Sequence, residues 1–265
     1  MVIDDKERFI FIHIPKNAGN TIQRLLLKHF GNTHSLNLPG RYTRVKDHPY
    51  LIIPQHAALK WVGNNLPERL LYKKICFSRN PYSRMVSWWT YNRSHEKFWE
   101  EYDLARHARD MEFNEWLLKC IQRGRQELVP QVYYISPNFK YEIQGVDHKG
   151  RKQGESTIDT HPLRHNNFIR EKFRLGETLN PTPIYQPIAD FVGKVENLEQ
   201  DMRRLFDYLG ITDNVIDITK ENPSKEKVDY REQYNTESVE IVQSIFQHDF
   251  EYFNYSYDLA DSSSG

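Results

Sequence analysis

The sequence predicts an α/β fold built around a parallel sheet. Twice, at Arg8–Ile14 and at Leu70–Ser78, a short apolar run gives way to a small polar loop and then to helical spacing. Parallel strands need helical crossovers of this kind. A third strand pattern, Asp190–Val195, is also followed by a helix, and repeated strand–helix order marks the α/β class. The 265 residues suffice for one generous domain or two small ones, and 13% aromatic content can fill a large core.

The first run, RFIFIHI, ends at Pro15, which cannot donate to a ladder. Lys16, Asn17, Ala18, Gly19, Asn20 and Thr21 form a small polar turn, after which Ile22, Leu25, Leu26 and Phe30 share a helical face. Gly31–Pro49 reads as loop and Tyr50–Ile53 as a short strand. Ala57–Leu66 has helical spacing and stops at Pro67. LLYKKICFS is the second buried strand, followed by Arg79-Asn80-Pro81 and a helix from about Tyr82. Met111–Ile121 reads as a helix with Phe113, Trp116, Leu117 and Cys120 on one face.

From Ser136 to Pro187 the periodicity fades, and the segment reads as a functional lid or an insertion with short strands of its own. After DFVGKV, Asn197 and Gln200 form a candidate capping box. Leu198, Met202, Leu205, Phe206 and Leu209 line the helix that follows, and Gly210 fits its C-terminus. Thr236 is a candidate cap for a last amphipathic helix with Val239, Val242, Phe246 and Phe250 inward. Residues 1–258 therefore read as one domain and 259–265 as a flexible tail.

Lys+Arg and Asp+Glu both number 36. This balance excludes a broadly basic nucleic-acid binder, so any anion site must be a local concentration of donors. Two Cys make no disulfide framework, and Cys76 and Cys120 read as buried thiols. No CxxC or HExxH spacing supports a metal site. No stretch approaches the roughly 18 apolar residues of a membrane helix, and MVIDDKERF is too charged for a signal peptide. The expectation is a cytoplasmic protein, with a lumenal domain of an anchored enzyme as the alternative.

A turn between a buried strand and a helix N-terminus presents backbone N–H groups that can hold an anion. Lys16 adds a mobile charge and Thr21 a hydroxyl. Taken alone, the same turn also fits an ordinary connection carrying a surface lysine. GxxxxGK[ST] is absent, so this is not the nucleoside-triphosphate loop. Arg79 at the second strand end and Ser87 two turns into the next helix can converge on one phosphate. Capping, salt-bridge and helix-surface roles remain open for them. Arg84, between them, either pairs with acids or faces solvent.

These residues carry a resemblance. FIFIHIPKNAGNT resembles the 5′-phosphosulfate loop of sulfotransferases that use 3′-phosphoadenosine 5′-phosphosulfate (PAPS), and CFSRNPYSRMVSWW resembles their 3′-phosphate motif. DFVGKVENLEQDMRRLFDYLG and ENPSKEKVDYREQYNTESVEIVQSIFQHDFEYFNYSY are similar to the downstream strand, helix, loop and helix of the carbohydrate-type, heparan sulfate 2-O-sulfotransferase-like branch. The resemblance spans most of the chain outside 136–187.

It implies a three-layer sandwich around a parallel sheet, the P-loop-like sulfotransferase fold. It also implies that Lys16 and the amides of Asn17, Ala18, Gly19, Asn20 and Thr21 hold the 5′-phosphosulfate. Arg79 and Ser87 would hold the 3′-phosphate, and Ser224 and Lys225 would add further 3′-phosphate or adenine-side contacts. The chain departs from the family at Asn17 and Asn20, where Thr, Gly or Ser are more frequent.

The activity implied is sulfuryl transfer to a hydroxyl of a small-molecule or oligosaccharide acceptor, with Lys16 neutralising the leaving phosphate and no essential metal. A hydroxyl nucleophile needs a base, and histidine suits that role. Of 11 His, His56 in IIPQHAAL resembles the family's catalytic His, with a surface residue at a helix start as the plain alternative. His13 reads as a packed strand residue, while His148, His161 and His165 lie in the variable segment. Trp88, Trp89 and Tyr91 suit a sugar platform or, at helical spacing, core. Arg164, Arg170, Lys172 and Arg174, interleaved with Phe168 and Phe173, fit an anionic sugar chain or a solvated surface. A nucleotide-dependent kinase of related fold and a PAPS-binding module without turnover are the competing classes.

Overall fold

In the computed structural model of the chain, the described residues are 1–30, 35–37, 42–45, 48–94, 103–123, 126–137, 139–144, 180–211 and 228–260. The strands are β1 (Val2–Asp4), β2 (Phe9–Ile12), β3 (Ser35–Asn37), β4 (Tyr42–Val45), β5 (His48–Pro54), β6 (Lys73–Ser78), β7 (Phe139–Gln144), β8 (Asn180–Tyr185) and β9 (Phe191–Lys194). The helices are α1 (Gly19–Phe30), α2 (Leu59–Asn65), α3 (Pro81–Ser94), α4 (Asp103–Asp110), α5 (Phe113–Arg123), α6 (Gln131–Tyr134), α7 (Leu198–Leu209), α8 (Thr236–Ile245) and α9 (Gln247–Tyr252).

Alternation along two strands sets the layers. Phe9 and Phe11 of β2 and Ile75 and Phe77 of β6 point to one side of the sheet. There they meet Ile22, Leu25 and Leu26 of α1 and Met202, Leu205 and Phe206 of α7. Ile10, Ile12 and Cys76 point to the other side, into a larger core shared by α2, α3, α5, α6, α8 and α9. A strand covered on both faces has no polar side, which is why these segments read as unbroken apolar runs. Both cysteines are buried thiols.

The main sheet has the order β1-β2-β6-β9. β2 and β6 are parallel, with Phe9 opposite Lys73 and Ile12 opposite Cys76. β6 and β9 are also parallel, from Ile75 opposite Phe191 to Ser78 opposite Lys194. β1 pairs antiparallel with β2, so the sheet is mixed rather than wholly parallel. The expected Tyr50–Ile53 strand belongs instead to an antiparallel sheet β3-β4-β5. Its partners, SLN and YTRV, are too short to leave a period in the sequence.

Two strands also emerge where periodicity fades. β7 and β8 pair antiparallel, placing Tyr141 opposite Pro183 and Ile143 opposite Pro181. Two prolines argue against a central strand, but among the described residues β8 pairs with β7 alone, and an edge strand tolerates them. The rest of that segment, 145–179, lies outside the described residues, as do 261–265 of the tail.

Helix ends correct three local readings. Asn197 precedes α7 without a side-chain capping bond, and the Asp201 carboxylate of that first turn accepts the Lys194 amide at 2.6 Å. Asn235, not Thr236, caps α8: its side chain accepts from Ser238 N, and Ser238 Oγ accepts from Asn235 N, at 2.8 and 3.0 Å. The last helical stretch is two helices that break at Phe246. Gly210 does close α7 in the left-handed region, at φ 75°. Among the described residues no helix is long and apolar enough to cross a membrane.

Gly193 lies on β9 against the ring of Phe77, and a Cβ there would fall on the ring edge. Gly193→Ala overpacks a core in which Phe77 is 1% exposed. It should lower stability by about 1–3 kcal/mol, read as a reduced urea midpoint. An unchanged midpoint would mean that this strand sits further from Phe77.

Candidate active site

β2 and β6 end side by side, and each runs into a helix through a tight loop. After Ile12, the chain passes His13, Ile14, Pro15, Lys16, Asn17 and Ala18 before α1 begins. Lys16 and Ala18 adopt φ of 69° and 55°. Such left-handed conformations are costly for residues with a Cβ and cluster at ligand-binding turns. The first helical bond runs from Ile22 N to Ala18 O, at 3.1 Å. The amides of Gly19, Asn20 and Thr21 therefore belong to the first turn, which presents donors at the positive end of the helix. Thr21 is buried in that turn.

Gly19 is required by packing. The His13 ring occupies the space where a Cβ at position 19 would go. His13 is itself buried, and burial is the main force holding its imidazole well below its ordinary pKa, hence neutral.

The two asparagines at which the chain departs from the family pattern have defined tasks. Asn17 is 1% exposed. Its Nδ2 donates to Phe77 O and to Gln131 Oε1, both at 2.6 Å. Its side chain is thus turned into the fold, and its amide donates to Ile14 O at 3.4 Å, a long bond that an anion contact at this position would have to displace. Asn20 Oδ1 accepts from Gln55 Nε2 at 2.9 Å, tying the first turn of α1 to the segment that carries His56.

Arg79 follows β6. Its Nη1 donates to Lys16 O at 3.2 Å and its Nε to Ser83 Oγ at 2.9 Å. Asn80 caps α3, its Oδ1 accepting from Tyr82 N and Ser83 N at 2.9 and 3.3 Å. Ser83, Ser87 and Tyr91 are spaced four apart on α3 and share one face. Ser87 is 8% exposed. Arg84 does not face solvent: it is 1% exposed, donating from Nε to Pro15 O at 3.2 Å and from Nη1 to Val129 O at 3.0 Å. The two anion-loop candidates are therefore in direct contact, with a buried guanidinium beneath them.

Lys16 Nζ lies 3.8 Å from the Tyr91 ring centroid and 5.6 Å from that of Trp88. No carboxylate pairs with it among the described residues. Burial first, then the Arg79 and Arg84 charges, push its ammonium down to about 7. Arg84 Nη2 and Trp88 Nε1 are buried without an acceptor among the described residues. An anion would pair such donors; Asn17 Oδ1, in the same loop, is a buried acceptor that also has no hydrogen-bond partner among the described residues. Trp88 and Trp89 are both buried, which favours the core reading for the pair. Lys16 nevertheless rests near the Trp88 ring.

His56 lies between β5 and α2. Its Nδ1 is 3.0 Å from His13 O, and the two imidazoles meet edge to face at 4.5 Å. A carbonyl can only accept, so Nδ1 carries a proton, and in the neutral ring the lone pair resides on Nε2. His56 reaches the loop edge from the antiparallel β3-β4-β5 sheet, not from a strand of the main sheet. Ser224, Lys225, His148, His161, His165, Arg164, Arg170, Lys172 and Arg174 lie outside the described residues. No cluster of three or more His, Cys, Asp or Glu able to hold a metal occurs among the described residues.

The sequence reading missed Gln131. It is fully buried and touches both loops, yet VPQVYY matches no motif and has too few residues to show a period.

The model of a family described as "Sulfotransferase family" matches residues 1–256. No curated protein and no solved structure matches the chain.

A bound dianion should restore the Lys16 proton. The sign follows from the lowered pKa: above about pH 7 the free amine predominates, so anion binding takes up a proton and affinity falls as pH rises. Sulfate keeps its own charge throughout. Its affinity, followed by thermal shift, should fall from pH 7 to 9 in the native protein and stay level in Lys16→Met. A level profile in both would remove the Lys16 ammonium from the anion site.

Proposed function

The chain belongs to the sulfotransferase family, and on that premise we propose that it transfers a sulfuryl group from PAPS to a hydroxyl of a carbohydrate or glycoconjugate, with His56 as general base. One observation carries the reading. Two strand–loop–helix turns bring Lys16 and Arg79 together, Arg79 Nη1 lying 3.2 Å from Lys16 O, as a nucleotide with phosphates on both sides of its ribose requires. The positive charges of Lys16, Arg79 and Arg84 at one loop fit that donor's anionic charge.

PAPS supplies an activated sulfuryl group whose leaving group is a phosphate. The amides from Lys16 to Thr21 would hold the phosphate at the 5′ position, while Arg79 and Ser87 would hold the 3′-phosphate. Charge growing on the leaving oxygen meets the Lys16 ammonium and the amides of the first turn of α1. Such preorganised donors usually supply the largest share of catalysis. The lone pair on His56 Nε2 can take the proton from the attacking hydroxyl. The bond from Nδ1 to His13 O fixes that tautomer, and Gln55 joins the histidine segment to Asn20. Base and anion loop therefore share one scaffold.

Two outcomes test this. Calorimetry should show tighter binding of 3′-phosphoadenosine 5′-phosphate than of ADP. Arg79→Ala should erase most of that preference, since charge-assisted hydrogen bonds contribute about 1.5–3 kcal/mol. Equal affinities in the native protein would sink the cofactor assignment. His56→Ala should keep nucleotide binding and lose about 10²–10⁴-fold in turnover with a glycan acceptor. Near-native turnover would pass the base role to another residue.

A further inference from the structure

Gln131 opens α6, a four-residue helix that belongs to neither strand–loop–helix unit. Its side chain is fully buried. Oε1 accepts from Asn17 Nδ2 at 2.6 Å and from the Arg79 amide at 2.9 Å. Nε2 donates to Arg79 O at 2.8 Å. One carboxamide thus grips the Lys16 loop by a side chain and the Arg79 loop by both groups of its peptide backbone. Two contacts do not pass through Gln131: Asn17 Nδ2 donates to Phe77 O at 2.6 Å, one strand residue short of the Arg79 loop, and Arg79 Nη1 reaches Lys16 O at 3.2 Å through a long side chain with several rotatable bonds.

The grip is itself held from behind. The Asp249 carboxylate, on α9, accepts from Gln131 N at 2.8 Å and Val132 N at 2.9 Å. This fixes the start of α6 against a fully buried side chain. Three of the four hydrogen bonds open to a carboxamide are made, so turning it away would leave buried groups of both loops unpaired.

We propose that Gln131 is a positioning residue, setting the separation of the two anion loops to the spacing between the two phosphates of the donor nucleotide. The proposal rests on the cofactor reading above. Its consequence is selective. A ligand that engages one loop binds regardless of the distance between loops. A ligand that engages both benefits only if the second site lies within reach of the first.

The test compares 3′-phosphoadenosine 5′-phosphate with adenosine 5′-phosphate by calorimetry. Gln131→Ala should weaken the bisphosphate about tenfold or more and the monophosphate by less than about threefold. Gln131→Glu keeps an acceptor for Asn17 and Arg79 N but cannot donate to Arg79 O, so its loss for the bisphosphate should be smaller. Asn17→Ala, which removes the bonds to Gln131 and to Phe77 O together, should reproduce the selectivity with a loss at least as large as that of Gln131→Ala. Equal losses for both ligands, or none, would overturn the proposal by reducing Gln131 to a packing residue. If Gln131→Ala does not fold, Gln131→Glu and Asn17→Ala decide by the same criterion.

Hydrogen exchange without nucleotide separates this from the cofactor assignment. Peptides covering Lys16–Thr21 and Arg79–Ser83 should both exchange faster in Gln131→Ala, which removes the contacts to both loops. Faster exchange in only one would refute the strut, whatever nucleotide the native protein prefers.

Discussion

The parallel pairing of β2 with β6 is the constraint on which the site depends. Its last pair joins Ile12 and Cys76, and three residues further on the two chains stand at Pro15 and Arg79. Two parallel strands in register must turn at the same edge of the sheet, so each delivers a helix start and its basic residue to one place. Had the strands been antiparallel, Lys16 and Arg79 would have left at opposite ends. The same pairing demands apolar side chains on both faces and helices to cover them. The two cores are therefore a consequence of the arrangement that builds the site.

Charge follows from this crowding. Lys16, Arg79 and Arg84 converge near one loop, while Glu196 and Asp249 stand behind it. Glu196 accepts from Asn80 N at 2.8 Å and from the Tyr255 hydroxyl at 3.0 Å. Asp249 is pushed up to about 6, mainly by burial, despite the opposing charge of Arg84. The carboxylates are thus engaged in holding backbone and hydroxyl groups. Guanidinium groups do not give up their protons in proteins. Lysine is the cation able to concede, and it is the one lowered to about 7. Its aromatic neighbours Tyr91 and Trp88 offer π faces rather than a counter-charge.

Sequence made the two strand–loop–helix units legible because a strand buried on both faces and an amphipathic helix each leave a long one-dimensional pattern. The Lys16 turn, Arg79 and Gly210 were legible through local chemistry. β3 and β4 were not, because three or four residues leave no period; β7 and β8 were legible only as unplaced short strands within 136–187, because each is specified by a partner distant in the chain. Asn17 shows the limit from the other side. Its position in the loop suggested only a backbone amide for a ligand, while the fold gives its side chain a task of its own, inward to Phe77 O. Gln131 left no trace, since its role exists only when residues 17, 79 and 131 meet.

His13 and Gly19 illustrate how such meetings restrict what sequences the fold can accept. The imidazole fills the volume that any larger residue at 19 would need, and the same residue's carbonyl orients His56. A change at 19 alone displaces a ring that lies against the His56 imidazole, whereas a smaller residue at 13 leaves room for one. The two positions, six apart in the chain, therefore behave in divergence as a coupled pair. A substitution at 19 becomes tolerable only after a smaller residue stands at 13, so the order in which mutations can arise is itself constrained.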